Sequence, residues 1–208
     1  MSVLTTMSQR KNKKESPPAM SHLNKILFGI VATTALVFGV ATGAYASLPK
    51  GTTVTGALKS GTAMTFKGDI DSIPITVSCT TFSASGTVTK AKDTLPLSAP
   101  PTIKGCTDSS GGTDTVTTTG AWKITIAATK MTLDAPKAGA TFKSSILSAC
   151  TITAFPSAAG KVAGAYNGSN TDKVSGASIP TKGTGCTSTT AKTTATVVLS
   201  PAPGAPPW

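Results

Sequence analysis

The sequence predicts an all-β protein, a disulfide-stapled β-sandwich or barrel, and three observations carry that expectation. Beyond residue 46 the chain is dominated by Thr, Ser, Ala, Gly and Val. Thr and Val favour strands, while Gly, Asn, Asp and Pro punctuate them. No segment has the periodicity of an amphipathic helix; short runs alternate apolar and polar residues instead. Four cysteines, Cys79, Cys106, Cys150 and Cys186, lie among those runs.

The first element is an address. Arg10, Lys11, Lys13, Lys14 and Lys25 form a basic start, Ile26 to Val40 an uncharged apolar run, and Ala44-Tyr45-Ala46 a small-residue exit. Together they read as a secretory signal peptide over residues 1–46, cleaved after Ala46. The apolar run approaches the ~20 residues of a membrane span. Glycines and threonines dilute it and no basic stop-transfer cluster follows, so no stable membrane insertion is expected after cleavage. Met20 offers an alternative start, because "MSHLNKILFGIV" is a compact signal by itself.

Residues 47–200 are read as one domain, and 201–208 as a Pro-rich tail ending in Trp208. Strands are expected at 53–59, 63–67, 73–81, 86–90, 102–105, 114–118, 122–133, 140–143, 146–154, 161–166, 173–179 and 193–199. Many short strands separated by turn signals are the pattern of a sandwich or barrel. Ile75, Val77 and Cys79 share one face under the period of two, as do Ile146, Cys150, Ile152 and Ala154. In 122–133 the apolar parity switches between Ala128 and Met131, the mark of a β-bulge or tight bend. Trp122 keeps parity with Ile124 and Ile126 and is expected in the core.

The cysteine-bearing pattern occurs twice. Thr76 to Val88 reads "TVSCTTFSASGTV", and Leu147 to Val162 reads "LSACTITAFPSAAGKV". Each is followed by a Gly-Cys-Thr turn and a Thr-rich strand. The reading is two pseudo-repeats, about 51–135 and 136–200, packed together. In an exported chain four cysteines imply two disulfides. Three connectivities exist; the repeat favours Cys79–Cys106 and Cys150–Cys186.

Composition narrows the chemistry. Beyond residue 46 the charged side chains are all Lys or Asp, because Arg10, Glu15 and His22 lie in the leader. Without His there is neither a Ser-His-Asp arrangement nor an imidazole metal ligand. No Gly-x-Ser-x-Gly elbow and no phosphate-binding Gly-rich loop occurs. No Cys-x-x-Cys supports a zinc site, and no cofactor or metal is expected. The lysines are spread evenly rather than patched, so nucleic acid is not an expected partner.

The Ala-x-Ala leader, the strand-borne "TVSCTT", the "GCT" turns, the Gly-Ala-Trp-Lys strand start and the closing "TATVVLSP" resemble a loose group of uncharacterised exported, Thr/Gly-rich, four-cysteine β-proteins of high-GC Gram-positive bacteria. The resemblance covers most of residues 51–201. It implies an extracellular location and a β-rich fold, and lends no catalytic or binding residues.

Candidate sites are few. Asp69 and Asp71 lie on one face if extended, which suits a solvated turn or, remotely, an Asp-dependent hydrolase acting with a distant Asp. Asp108-Ser-Ser-Gly-Gly-Thr-Asp114 lacks the acidic density of a calcium loop and reads as a turn. Tyr166, beside Asn167 and Asn170 at a hairpin-like turn, is the residue placed to stack on a sugar if exposed. The expectation is a secreted or cell-surface, non-enzymatic structural or binding protein, with a carbohydrate or cell-wall binding module as the alternative. Its partners would be a cell-wall polymer or another surface protein.

Overall fold

The computed structural model describes residues 48–89, 94–127, 129–167 and 170–204. The expected leader, its cleavage site and Trp208 lie outside them. Thirteen strands form one antiparallel sheet that closes on itself. The pairings show why thirteen strands make an eight-stave ring: five staves consist of two strands laid end to end.

The first stave is β1 (Thr53–Leu58) followed by β2 (Met64–Ile70), and the second is the unbroken β3 (Ile73–Thr87). The third joins β4 (Thr94–Pro96) to β5 (Thr102–Asp108). The fourth joins β6 (Thr113–Thr118) to β7 (Lys123–Ala127). The fifth is β8 (Lys130–Ala135) with β9 (Ala140–Ser144), and the sixth β10 (Thr151–Ala154) with β11 (Gly160–Tyr166). The unbroken β12 (Thr171–Thr184) and β13 (Thr190–Pro201) are the seventh and eighth.

Each stave pairs with the next in chain order. At one end β2, β3, β5, β6, β9, β10, β12 and β13 complete the ring. At the other end β1, β3, β4, β7, β8, β11, β12 and β13 do so, with a single bridge, Gly86 to Leu97, between β3 and the end of the β4 segment. The architecture is therefore an up-and-down β-barrel.

The breaks line up around the waist, and backbone hydrogen bonds stitch across them. Thr119 N donates to Gly139 O at 2.8 Å, Ala138 N to Phe155 O at 2.8 Å and Phe155 N to Pro180 O at 2.8 Å. Trp122, whose Nε1 donates to Thr119 O at 2.9 Å, and Phe155 plug the interior at this level.

Period-two alternation sets inside from outside. Thr, Ser and Lys line the outer face, as in β6 and β13, and Val54, Ile124, Val197 and Leu199 pack within. This is the reverse of a membrane barrel, whose outward face is an apolar band. Ile75 and Cys79 are buried as expected. Residues 73–90, expected as two strands, instead contain one long strand, β3. The alternation misleads there because Cys79 and Phe82, three apart, are both buried. On the paired strand Ile103 and Cys106 are likewise buried three apart. Gly105 at φ +62° makes the switch; a Cβ there would lie 2.2 Å from Thr80 Oγ1.

Other expectations are corrected. The run 122–133 is a hairpin, β7 and β8, belonging to two staves, so the parity switch marks a chain reversal. Ile146 lies in the connection after β9 and is 52 % exposed, off the face assigned to it. Pro201, placed in the tail, ends β13 opposite Val54.

Both disulfides join neighbouring staves: Cys79 to Cys106 across β3 and β5, and Cys150 to Cys186 across the rim next to β10 and β12. This is the pairing favoured from the cysteine contexts. Replacing Cys79 and Cys106 together by Ser should lower unfolding free energy by roughly 2–5 kcal/mol, read from urea melts of the oxidised protein. The Cys150/Cys186 double variant should lose less, because Cys186 is only partly buried whereas Cys79 is sealed completely. Equal losses would show that chain linkage alone, without core packing, sets the effect.

Candidate functional site

The two ends of the barrel are filled differently. Beyond the waist toward Tyr166, Leu95, Ile124, Met131, Val197 and Leu199 are buried together in the lumen. Toward the disulfides it holds an apolar cavity of about 120 Å³. Small residues create the space. Gly68 pairs with Ala191, and Ala140 with Ala154, all four on the lumen side. Trp122 and Phe155 lie at its waist end, and Ile75, Val77, Ile152 and Ile179 contribute walls. Phe66 and Phe142 reach toward each other edge to face, with centroids 4.8 Å apart. Asp69, Ile70, Leu147 and Ser188, at or near strand ends, carry the lining to the rim.

One polar cluster lies on this wall. Asp108 ends β5, Asp114 is the second residue of β6, and Ser144 ends β9 opposite Asp114. The Asp108 Oδ1 accepts the backbone N–H of Ser110 at 2.8 Å and of Gly112 at 3.0 Å, which holds the turn between the strands. Its Oδ2 accepts Ser144 Oγ–H at 2.7 Å. Burial pushes the Asp108 carboxyl up, but these hydrogen bonds outweigh it and hold the group below its ordinary value. Asp114 is the opposite case. Burial first, and the charge of Asp108 second, push it up to about 6. Its Oδ2 is sealed from solvent without a hydrogen-bond partner. Across the lumen, Thr193 is 3 % exposed, and its Oγ1 also lacks a partner.

The residues singled out from the sequence fall elsewhere. Tyr166 is 5 % exposed and buried at the other end of the lumen, not exposed beside the amides as a sugar-stacking role requires. Asn167 and Asn170 form the turn at that end, where Asn167 Oδ1 accepts Thr171 N–H at 3.0 Å. Asp69 and Asp71 are both exposed. Asp71 serves as a clasp: its Oδ1 accepts Thr187 N–H at 2.7 Å and its own N–H reaches Thr187 O at 3.0 Å. Trp122 is buried as expected and also lines the cavity. Sequence reasoning missed Asp114 and Ser144. The available signal was parity: Asp114 shares a face with Val116, and Ser144 with Phe142.

Comparisons with protein-family models, with curated proteins and with solved structures return no match for this chain.

Asp172 is a further buried acid, 2 % exposed, in the Tyr166 half against Gly164. Burial pushes its carboxyl up to about 6. A carboxyl raised in the folded state binds its proton more tightly there than in the unfolded chain. The resulting stability is full below the unfolded value near 3.8 and is lost as pH rises through about 6. Asp108 has the opposite sign and withdraws its support as pH falls below the unfolded value. Stability should therefore peak near pH 4, fall between about pH 4 and 6, and level off above. Asp172→Asn should flatten that fall, adding about 1–2 kcal/mol at pH 8 and nothing at pH 4, measured by urea melts across pH. An equal effect at both pH values would refute the burial of an ionised Asp172.

Proposed function

We propose that the chain is an exported, non-enzymatic binding protein that holds a small, largely apolar molecule inside the disulfide-bearing half of its barrel. The observation that carries this reading is the cavity itself: apolar and aromatic side chains surround open space in the disulfide-bearing half. Eight-stranded barrels have interiors just wide enough to be filled by side chains or to hold one small ligand, and the disulfide-bearing half of this one has the room for a ligand. A cavity of about 120 Å³ is close to the roughly 150 Å³ that holds a benzene-sized molecule. The ligand, or the part of it that enters, is therefore of about that size.

Two disulfides and a Thr/Ser/Lys exterior suit life outside the cell. The pseudo-repeat reading belongs to this proposal. The two disulfides join staves two to three and six to seven, an offset of half the ring, as two copies of a four-stave unit would place them. A sugar-stacking surface is supported less well, because Trp122, Phe82, Phe155 and Tyr166 are all buried.

Titration with an environment-sensitive apolar dye should give saturable, one-to-one fluorescence enhancement with the native protein. Ile152→Trp, which adds bulk to the cavity wall, should weaken dye binding at least tenfold while leaving the far-ultraviolet spectrum unchanged. Binding that survives the substitution undiminished would place the dye outside the barrel and sink the reading.

A further inference from the structure

The cavity lining carries three acids, Asp69 at the exposed rim and Asp108 and Asp114 on the wall, and no base. Asp108 and Asp114 are neighbours on adjoining strands, and ion pairs among the described residues go to neither; they join Lys123 and Lys161 to Asp134. Asp108 is satisfied by the turn amides and Ser144, so its charge is fixed in place. Asp114 is left with a solvent-sealed Oδ2 that nothing hydrogen-bonds. A second, separate observation points the same way. Thr193, opposite on β13, holds a buried hydroxyl without a partner against the same cavity. Unmade hydrogen bonds of this kind cost on the order of 1–3 kcal/mol each, more for charged groups, and both lie where a bound molecule would sit.

Resting on the cavity reading, we infer that the ligand is a small apolar amine, bound as its ammonium ion, whose N–H groups reach Asp114 while its apolar body lies against Phe66 and Phe142. An ammonium has three donors and a positive charge. It satisfies the orphaned carboxylate oxygen and offsets the like charge of Asp108. The aromatic faces nearby favour a cation as well as an apolar ring. An alcohol of the same shape supplies one donor and no charge. A carboxylate of the same shape meets two negative groups and is repelled. A bare metal ion fits less well: among the described residues no group of three or more His, Cys, Asp or Glu comes together.

The test uses three matched probes with the oxidised protein at pH 7.5: 2-phenylethylamine, 2-phenylethanol and phenylacetate, followed by calorimetry or ligand-observed NMR. The amine should bind at least tenfold more tightly than the alcohol, and phenylacetate more weakly than either. Asp114→Asn should erase the advantage of the amine while leaving the alcohol unchanged, and Asp114→Glu should retain it. Equal binding of amine and alcohol overturns this inference and leaves the apolar cavity reading standing. So does a preference for phenylacetate. If none of the three binds, the cavity reading itself falls. The comparison on the unsubstituted protein decides the ligand class even where a variant fails to fold.

Discussion

The closure of the first stave on the eighth is the constraint on which everything else depends. β13 runs beside both halves of that stave, Leu58 opposite Val197 and Thr65 opposite Thr194, so neither end of the meander is left as a free edge. An open sheet of this Thr-rich composition would present long unpaired edges, a template for association with other chains. Closure removes them and defines a lumen, so period two becomes a rule of inside and outside. Each apolar residue on the right parity is then buried by geometry, even one as small as Ala.

That geometry matters because large side chains are scarce: aromatic residues are 5 % of the chain. They are not spread evenly along the lumen. Trp122 and Phe155 sit at the waist, where three successive staves break together and backbone hydrogen bonds cross the gaps. A break lets each stave restart with its inward face reset, which a continuous strand of fixed alternation cannot do. The waist thus separates a half packed with aliphatic side chains from a half where small wall residues leave space around the Phe66–Phe142 contact. The disulfide of Cys79 and Cys106 secures one side of the open half from within, and that of Cys150 and Cys186 secures the rim.

The all-β class and the disulfide pairing were legible because both are local. Alternation is read within five residues, and the cysteines carry their contexts with them. Strand boundaries were legible only where the turn had ordinary turn chemistry. Ala128-Thr129 between β7 and β8 contains no Gly, Asn or Pro, so a hairpin read as one strand. Cys79 to Phe82 breaks parity without breaking the strand, so one strand read as two. The cavity was illegible for a different reason. Parity says that Gly68, Ala140, Ala154 and Ala191 face inward, but whether space remains depends on what faces them across the ring. That information lies in long-range register. Asp114 was hidden in the same way: in sequence it ends a polar turn, and only the ring places it against Phe-lined space.

The cavity is costly to keep. Space lined by Gly68, Ala140, Ala154 and Ala191 forfeits the burial that larger apolar side chains would gain there. Simple substitutions would reduce it: a larger aliphatic at Ala140 or Ala154 is within one side chain of filling the space. The same half also holds the sealed oxygen of Asp114 and the unmade hydrogen bond of Thr193, so its apolar and polar penalties coincide in one place. A sealed oxygen without a hydrogen-bond partner also occurs in the other half, at Asp172, but no cavity adjoins it among those the described residues line. At Asp114 and Thr193 the unpartnered atoms line open space, and a molecule that fills it and hydrogen-bonds its wall relieves both penalties at once.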